Sequence, residues 1–326
     1  MLVRLRSIGD TVLMTPCLAA LKAWRTDIRL TVLSEPLSAP LLEDHPHLDE
    51  LIITPAGFGA RARVVRRLRR EGFDVAFNMH GGTTATFLAT LSGARLSVGY
   101  EGHRYSRLLD ARAPAPDVIL GRRSIHSVEQ QLALLCWAGV PWPAAGPRLT
   151  LAVSDGALAL ARARLGEAGL GDARFALIAP SAAFEAKRWK ASGFAAVVDH
   201  LRDRYNLPSL VLAGPAQEHV AREVSERALA RPAVVAGLSL KELMALIGMA
   251  AIFVGNDSGP AHIAAALSRP MAVVFGSSDA RVWRPWTESV YRVIESPNLS
   301  IAQLSEAQVI AAVDEVVESA TAISKG

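Results

Sequence analysis

Short apolar runs alternate with helix-period segments along the whole chain. Strands separated by helical crossovers pair in parallel, so this alternation restricts the chain to parallel sheets covered by helices. In the first half the pattern predicts strands at Leu2–Leu5, Leu30–Leu33, Leu51–Ile53, Val75–Asn78 and Leu96–Gly99. In the second it predicts Phe175–Ala179, Ser209–Ala213, Ala233–Ala236, Ile252–Val254 and Met271–Phe275. Each set fits one doubly wound α/β domain. Between them runs Val140-Pro-Trp-Pro-Ala-Ala-Gly-Pro147, whose prolines and glycine sustain neither a helix nor a central strand. The expected domains are therefore residues 1–150 and 151–326, with a cleft between them. Ser305–Ala322 has helical spacing and is a candidate to pack back on the N-terminal domain.

Several classes are excluded early. Hydrophobic residues make up 51% of the chain, yet no uninterrupted apolar run reaches the roughly 18 residues of a membrane span. Arg4, Arg6 and Asp10 interrupt the apolar N-terminus, which does not suit a secretory signal, so a cytoplasmic location is expected. Cys17 and Cys136 are the two cysteines, in no CxxC pair, and predict neither a disulfide framework nor a zinc site. Neither half has GxGxxG after its first strand, and there is no Walker-type loop or D-x-D element. No metal and no cofactor are therefore expected, and a nucleotide would be bound by other means. Residues 1–150 carry 18 lysines and arginines against 13 acidic residues, whereas the remainder carries 17 against 18. That imbalance suits an acidic partner for the first half, or simply a solvated surface. Without interleaved aromatics or a reader motif, nucleic acid is not expected.

The richest stretch is Ile252-Phe-Val-Gly-Asn-Asp-Ser-Gly-Pro-Ala-His-Ile-Ala-Ala-Ala-Leu267. A strand ends there in a turn of small polar residues, and Pro260 stands where a helix start tolerates a missing N–H. Such a start offers free amides and a positive dipole end to an anion. Asp257 can accept from sugar hydroxyls, and Ser258 and His262 can donate to phosphate. A capped core helix with a structural histidine fits the same residues. Lys187, Arg188 and Lys190 follow the Phe175 strand at the edge where open sheets bind ligands. Glu218 follows a Gly-Pro turn and can grip a ribose. Gly237-Leu238 precedes a capping box, Ser239 to Glu242, and can pack on a base. Asp10 opens the first helix, either as a general base or as a charge favoured by the dipole.

Taken together these stretches resemble glycosyltransferase family 9, the ADP-heptose:lipopolysaccharide heptosyltransferases. The resemblance rests on Arg4-Leu-Arg-Ser-Ile-Gly-Asp10 with Thr15-Pro16, on Lys187-Arg-Trp189, and on Gly255-Asn-Asp-Ser-Gly-Pro-Ala-His262 with Phe275-Gly276 and Trp283-Arg-Pro285. It implies a GT-B fold of two Rossmann-like doubly wound domains, acceptor in the N-terminal one and ADP-sugar in the C-terminal one. It further implies an inverting, metal-independent heptosyl transfer onto inner-core lipopolysaccharide or a related anionic glycan. Asp10 matches the family's base, Lys187 its diphosphate lysine, Glu218 its ribose glutamate and Leu238 its adenine contact. Asp257, Ser258, Gly259 and His262 match its donor turn. Ser258 replaces a common threonine, keeping the hydroxyl, and Lys190 replaces a common proline. Arg61, Arg63, Arg66, Arg67, Arg69 and Arg70 crowd one predicted helix, with Val64, Val65 and Leu68 inward. In an acceptor domain they suit Kdo carboxylates and lipid phosphates, peripheral contact with the inner-membrane surface, or plain solvation. The alternatives are another GT-B enzyme with a different nucleotide sugar or a protein acceptor, and a non-catalytic nucleotide-sugar-binding protein.

Overall fold

The computed structural model describes residues 1–296 and 300–323. It divides into two compact units, residues 1–152 and residues from 153 onward. In the first unit the elements are β1 (Leu2–Val3), α1 (Ile8–Trp24), β2 (Thr31–Ser34), β3 (Glu50–Ile53), α2 (Phe58–Glu71), β4 (Val75–Asn78), α3 (Thr83–Leu91), β5 (Leu96–Tyr100), β6 (Ala111–Ala113), α4 (Pro116–Leu120) and α5 (Ser127–Trp137). Its strands form one parallel sheet in the order β3-β2-β1-β4-β5-β6. Side chains such as Val3, Leu33, Ile52 and Ala76 pack one face of it against Val64 and Leu68 of α2 and Leu88 of α3.

The second unit runs α6 (Asp155–Glu167), β7 (Ala176–Ala179), α7 (Ala191–Tyr205), β8 (Ser209–Leu212), α8 (Glu218–Arg227), β9 (Ala233–Val235), α9 (Leu240–Met249), β10 (Ile252–Asn256), α10 (Gly259–Ala266), β11 (Met271–Phe275), α11 (Ala280–Trp283), β12 (Tyr291–Glu295) and α12 (Glu306–Ile323). Its sheet, also parallel, has the order β12-β11-β10-β7-β8-β9. Both sheets thus trace the same doubly wound path, and each reverses direction beside its first strand.

The central strands are apolar and buried on both faces, which is why they were legible as short runs. Two edge strands, β6 and β12, were not predicted. Ala111-Arg-Ala113 is short, and Tyr291-Arg-Val-Ile-Glu295 exposes Arg292 and Glu295, as edges that discourage further pairing do. The segment that was a candidate to pack back on the N-terminal domain forms α12. Its buried Val309, Val313 and Val316 join the core of the second unit, against α7 and the strands β11 and β12. Among the described residues no helix is long and apolar enough to cross a membrane.

Candidate active site

In a parallel sheet all strands end on the same side, so the loops after β10, β7, β8 and β9 share one edge of the second unit. Lys187 lies on a short 3-10 turn, Glu185–Lys187, in the loop after β7. Its Nζ donates to Asp257 Oδ2 at 2.7 Å, immediately beyond β10. Asp257 is buried, its amide bound to the Val274 carbonyl at 3.0 Å, and His262 Nε2 stands 3.9 Å from its second oxygen. Ser258 occupies the N-cap of α10 in an extended conformation, but its buried hydroxyl makes no hydrogen bond to the helix or to any other described group. Gly259 and Pro260 open that helix, so its first turn presents amide and dipole rather than a side-chain cap. Lys187, Asp257, Ser258, Gly259 and His262 are therefore grouped at one corner.

The corner is held by a residue to which the sequence reading gave no role. Asn256 is fully buried; its Oδ1 accepts from the Trp189 amide at 3.0 Å and its Nδ2 donates to the Pro180 carbonyl at 2.8 Å. One side chain thereby ties both ends of the lysine loop to the end of β10. Trp189 is buried edge-on to Phe194, and its indole N–H donates to the Leu304 carbonyl at 3.1 Å. A Cβ at Gly193 would sit 2.5 Å from the indole, and one at Gly276 would overlap the Ala186 carbonyl oxygen. Both glycines are thus places where the lysine loop needs an atom to be missing.

Glu218 and Leu238 lie further along the same edge and are not brought to Lys187. Glu218 is the first residue of α8, exposed and paired with Arg222 at 3.2 Å. The turn before it is fixed to the lysine loop, through Gly214 N–H to Ser181 Oγ at 3.3 Å and Gln217 Nε2 to the Ala182 carbonyl at 2.9 Å. Leu238 is half-buried between Gly237 and the Ser239 cap. The capping box forms as read, and Glu242 also meets Arg164 at 3.2 Å, a structural role.

In the first unit Asp10 lies in the first turn of α1. One carboxylate oxygen is 2.6 Å from Arg4 Nη2, and the other accepts from Ser7 Oγ at 3.0 Å. Arg4 is buried at the end of β1, and its guanidinium also donates to the Met79 carbonyl beyond β4. Burial lowers its pKa, opposed by the Asp10 carboxylate. In the sequence Arg4 stands as a break in an apolar run and as part of the family motif, with no role of its own; a cation immediately after a buried strand was the available signal. On α2, Val64 and Leu68 face inward with Val65 half-buried. Arg61 lies 3.6 Å from Glu35, and Arg67 pairs with Glu50 at 2.5 Å and Glu71 at 3.7 Å. Arg63 and Arg66 are exposed and make no ion pair among the described residues.

The model of glycosyltransferase family 9 (heptosyltransferase) matches residues 61–309. Lipopolysaccharide heptosyltransferase 3 of Escherichia coli is 27% identical over 341 residues, covering 97% of this chain and 98% of that protein. The crystal structure of a family 9 glycosyltransferase from Veillonella parvula superposes with a TM-score of 0.86 at 22% identity, covering 98% of this chain and 96% of that one. The structure of Escherichia coli ADP-heptose lipopolysaccharide heptosyltransferase II does so with a TM-score of 0.83 at 23% identity, covering 98% of each. The expected GT-B architecture of two doubly wound α/β domains is the fold these structures share with this chain. A family match over most of the chain makes it a glycosyltransferase, a member of glycosyltransferase family 9, the heptosyltransferases.

Proposed function

We propose that the enzyme transfers heptose from ADP-heptose to an inner-core lipopolysaccharide acceptor by a metal-independent, inverting displacement. The observation that carries this reading is the strand order β10-β7-β8-β9. Along it lie, in turn, the α10 start with Asp257, then Lys187, then Glu218, then Leu238. That is the order diphosphate, ribose, base, laid over three strand spacings, or about 14 Å at about 4.8 Å each. Lys187 and the helix start supply positive charge where the departing ADP gathers negative charge. Asp10 takes the proton of the acceptor hydroxyl as its oxygen bonds to the anomeric carbon, and the bond to phosphate breaks with its electron pair leaving on ADP. One displacement inverts the anomeric centre. Arg61, Arg63, Arg66 and Arg67 meet the anionic groups of a glycolipid acceptor, at the cytoplasmic face of the inner membrane. The names of the relatives, a lipopolysaccharide heptosyltransferase 3 and an ADP-heptose lipopolysaccharide heptosyltransferase II, favour this substrate pair.

The test is a competition among ADP-heptose, UDP-sugars and GDP-sugars in EDTA, with the product anomer read by NMR. Preferential binding of ADP-heptose, undiminished by EDTA, and an inverted product are expected. Preference for a uridine or guanosine donor, or turnover that scales with added Mg²⁺ or Mn²⁺, would overturn the reading.

A further inference from the structure

Two histidines near Asp10 have no role in the reaction described so far. β4 ends at Asn78, which is fully buried and organises the turn that follows. Its Oδ1 accepts the amides of His80 at 3.2 Å and Gly81 at 2.9 Å, and its Nδ2 donates to Thr86 Oγ1 at 3.0 Å. His80 Nδ1 lies 2.9 Å from the Arg6 carbonyl oxygen. A carbonyl can only accept, so Nδ1 carries the hydrogen and Nε2 keeps a lone pair. His103, in the loop after β5, has the opposite arrangement. Its Nδ1 lies 3.3 Å from the Tyr100 amide, which can only donate, so the hydrogen of that ring is on Nε2. Neither Nε2 hydrogen-bonds to protein among the described residues, and both rings are half-buried.

The backbone makes room for both rings. A Cβ on Gly81, whose φ is +77°, would come within 2.8 Å of the His103 ring. One on Gly99 would meet His103 Nδ1 at 3.0 Å, and one on Gly82 would meet the His80 ring at 3.0 Å. The Arg104 amide donates to the Gly81 carbonyl at 3.0 Å, so the two histidine loops are joined. The anchorage of His80 to Arg6, and of Arg4 to Met79, joins this turn to the segment that leads into Asp10.

We propose that His80 and His103 form a hydroxyl-recognising subsite for the acceptor sugar, His80 Nε2 accepting from one hydroxyl and His103 Nε2 donating to another. The occupant, though not the subsite's geometry, rests on the reading of Asp10 as the base. Burial, with the positive charge of Arg4, lowers the pKa of His80. Burial, with His80 and Arg4, takes His103 down to about 4. At neutral pH the pair is uncharged, which suits neutral hydroxyls and leaves anionic groups to the arginines of α2.

The test uses protein labelled at histidine and titrated with deacylated core oligosaccharides ending in Kdo or in heptose. The His80 and His103 ring nitrogens should shift while His219, on the second unit, stays in place. In parallel, His80→Ala and His103→Ala should each raise acceptor KM about tenfold, with donor KM unchanged and kcat within threefold. His80→Gln, which keeps an acceptor, should recover part of the loss. Ring signals that stay unmoved across the oligosaccharide panel would overturn the subsite, as would an unchanged acceptor KM in both alanine variants. The titration reads binding without turnover. Oligosaccharide bound at both histidines with no heptose transferred would therefore sink the proposed reaction and leave the subsite standing.

Discussion

Lys187 Nζ is 2.7 Å from Asp257 Oδ2, so the lysine proposed to meet the donor diphosphate is already held by a carboxylate that is almost wholly buried. The carboxylate fixes the cation in place and leaves its remaining hydrogens for an anion. Lys187→Met should weaken ADP binding by about ten- to a hundredfold, the loss of one charge-assisted hydrogen bond. It should also destabilise the fold by about 1–3 kcal/mol, because Asp257 stays buried without its counter-charge. Lys187→Met combined with Asp257→Asn should be more stable than Lys187→Met alone. Calorimetric ADP titration and urea denaturation of the three variants measure this, and simple additivity of the two stability losses would count against the coupling.

Asp10→Asn addresses the proposed base. General-base assistance contributes roughly 10²–10⁴-fold, so kcat should fall at least about a hundredfold with ADP affinity unchanged. The buried Arg4 adds a second consequence, since it loses the charge that balances it and the melting temperature should fall too. A lowered melting temperature alone therefore does not separate a structural aspartate from a catalytic one; turnover does. Near-normal kcat in a folded Asp10→Asn protein would remove Asp10 from the mechanism.

The α2 arginines divide by their partners. Among the described residues Arg63 has no ion-pair partner and Arg67 has two acidic neighbours. Arg63→Ala should raise acceptor KM and flatten its salt dependence with no change in stability. Arg67→Ala should do the same while costing about 0.2–1 kcal/mol of stability, the usual worth of exposed ion pairs. Loss of ADP affinity in either variant would contradict an acceptor role for this helix.

Acid should unfold the protein partly through its neutral histidines. Burial and the neighbouring His47 push His45 down to about 4, and His103 lies at about 4 as well. Unfolded histidine titrates near 6.5, so below that value the unfolded chain binds protons that the folded one refuses. Stability should be full above about pH 6.5 and fall as pH drops toward 4, by up to about 3 kcal/mol for each group. His45→Asn should flatten this slope in urea denaturation across pH 6.5 to 4. An unchanged slope would mean His45 does not contribute.

Much of this was legible because buried parallel strands are continuous apolar runs, and because ligand groups in such folds follow directly after strand ends. Asp257 comes one residue beyond β10 and Lys187 in the loop leaving β7, so local pattern was enough to propose them. The expected grouping of Lys187, Asp257, Ser258, Gly259 and His262 is what the fold assembles. Asn256 and Arg4 were not legible in the same way. Their side chains satisfy backbone groups of loops that return from elsewhere, Pro180 and Trp189 for Asn256 and Met79 for Arg4. A polar residue at a strand end reads alike whether it serves solvent, a ligand or a distant carbonyl, and only the tertiary path separates these. The edge strands escaped for another reason, since a strand with one unpaired side carries polar residues that break the run.

The indole hydrogen bond from Trp189 to the Leu304 carbonyl spans 115 positions in sequence and ends just ahead of α12. It joins the segment next to the proposed donor lysine to the segment that leads into α12. A protein cut back before Leu304, or carrying a fusion that displaces that segment, loses the anchor of the Trp189 side chain and with it the seating of Lys187. Leu304 and the α12 segment that follows it are therefore a poor place to engineer, however far they lie in sequence from the residues proposed to hold the nucleotide.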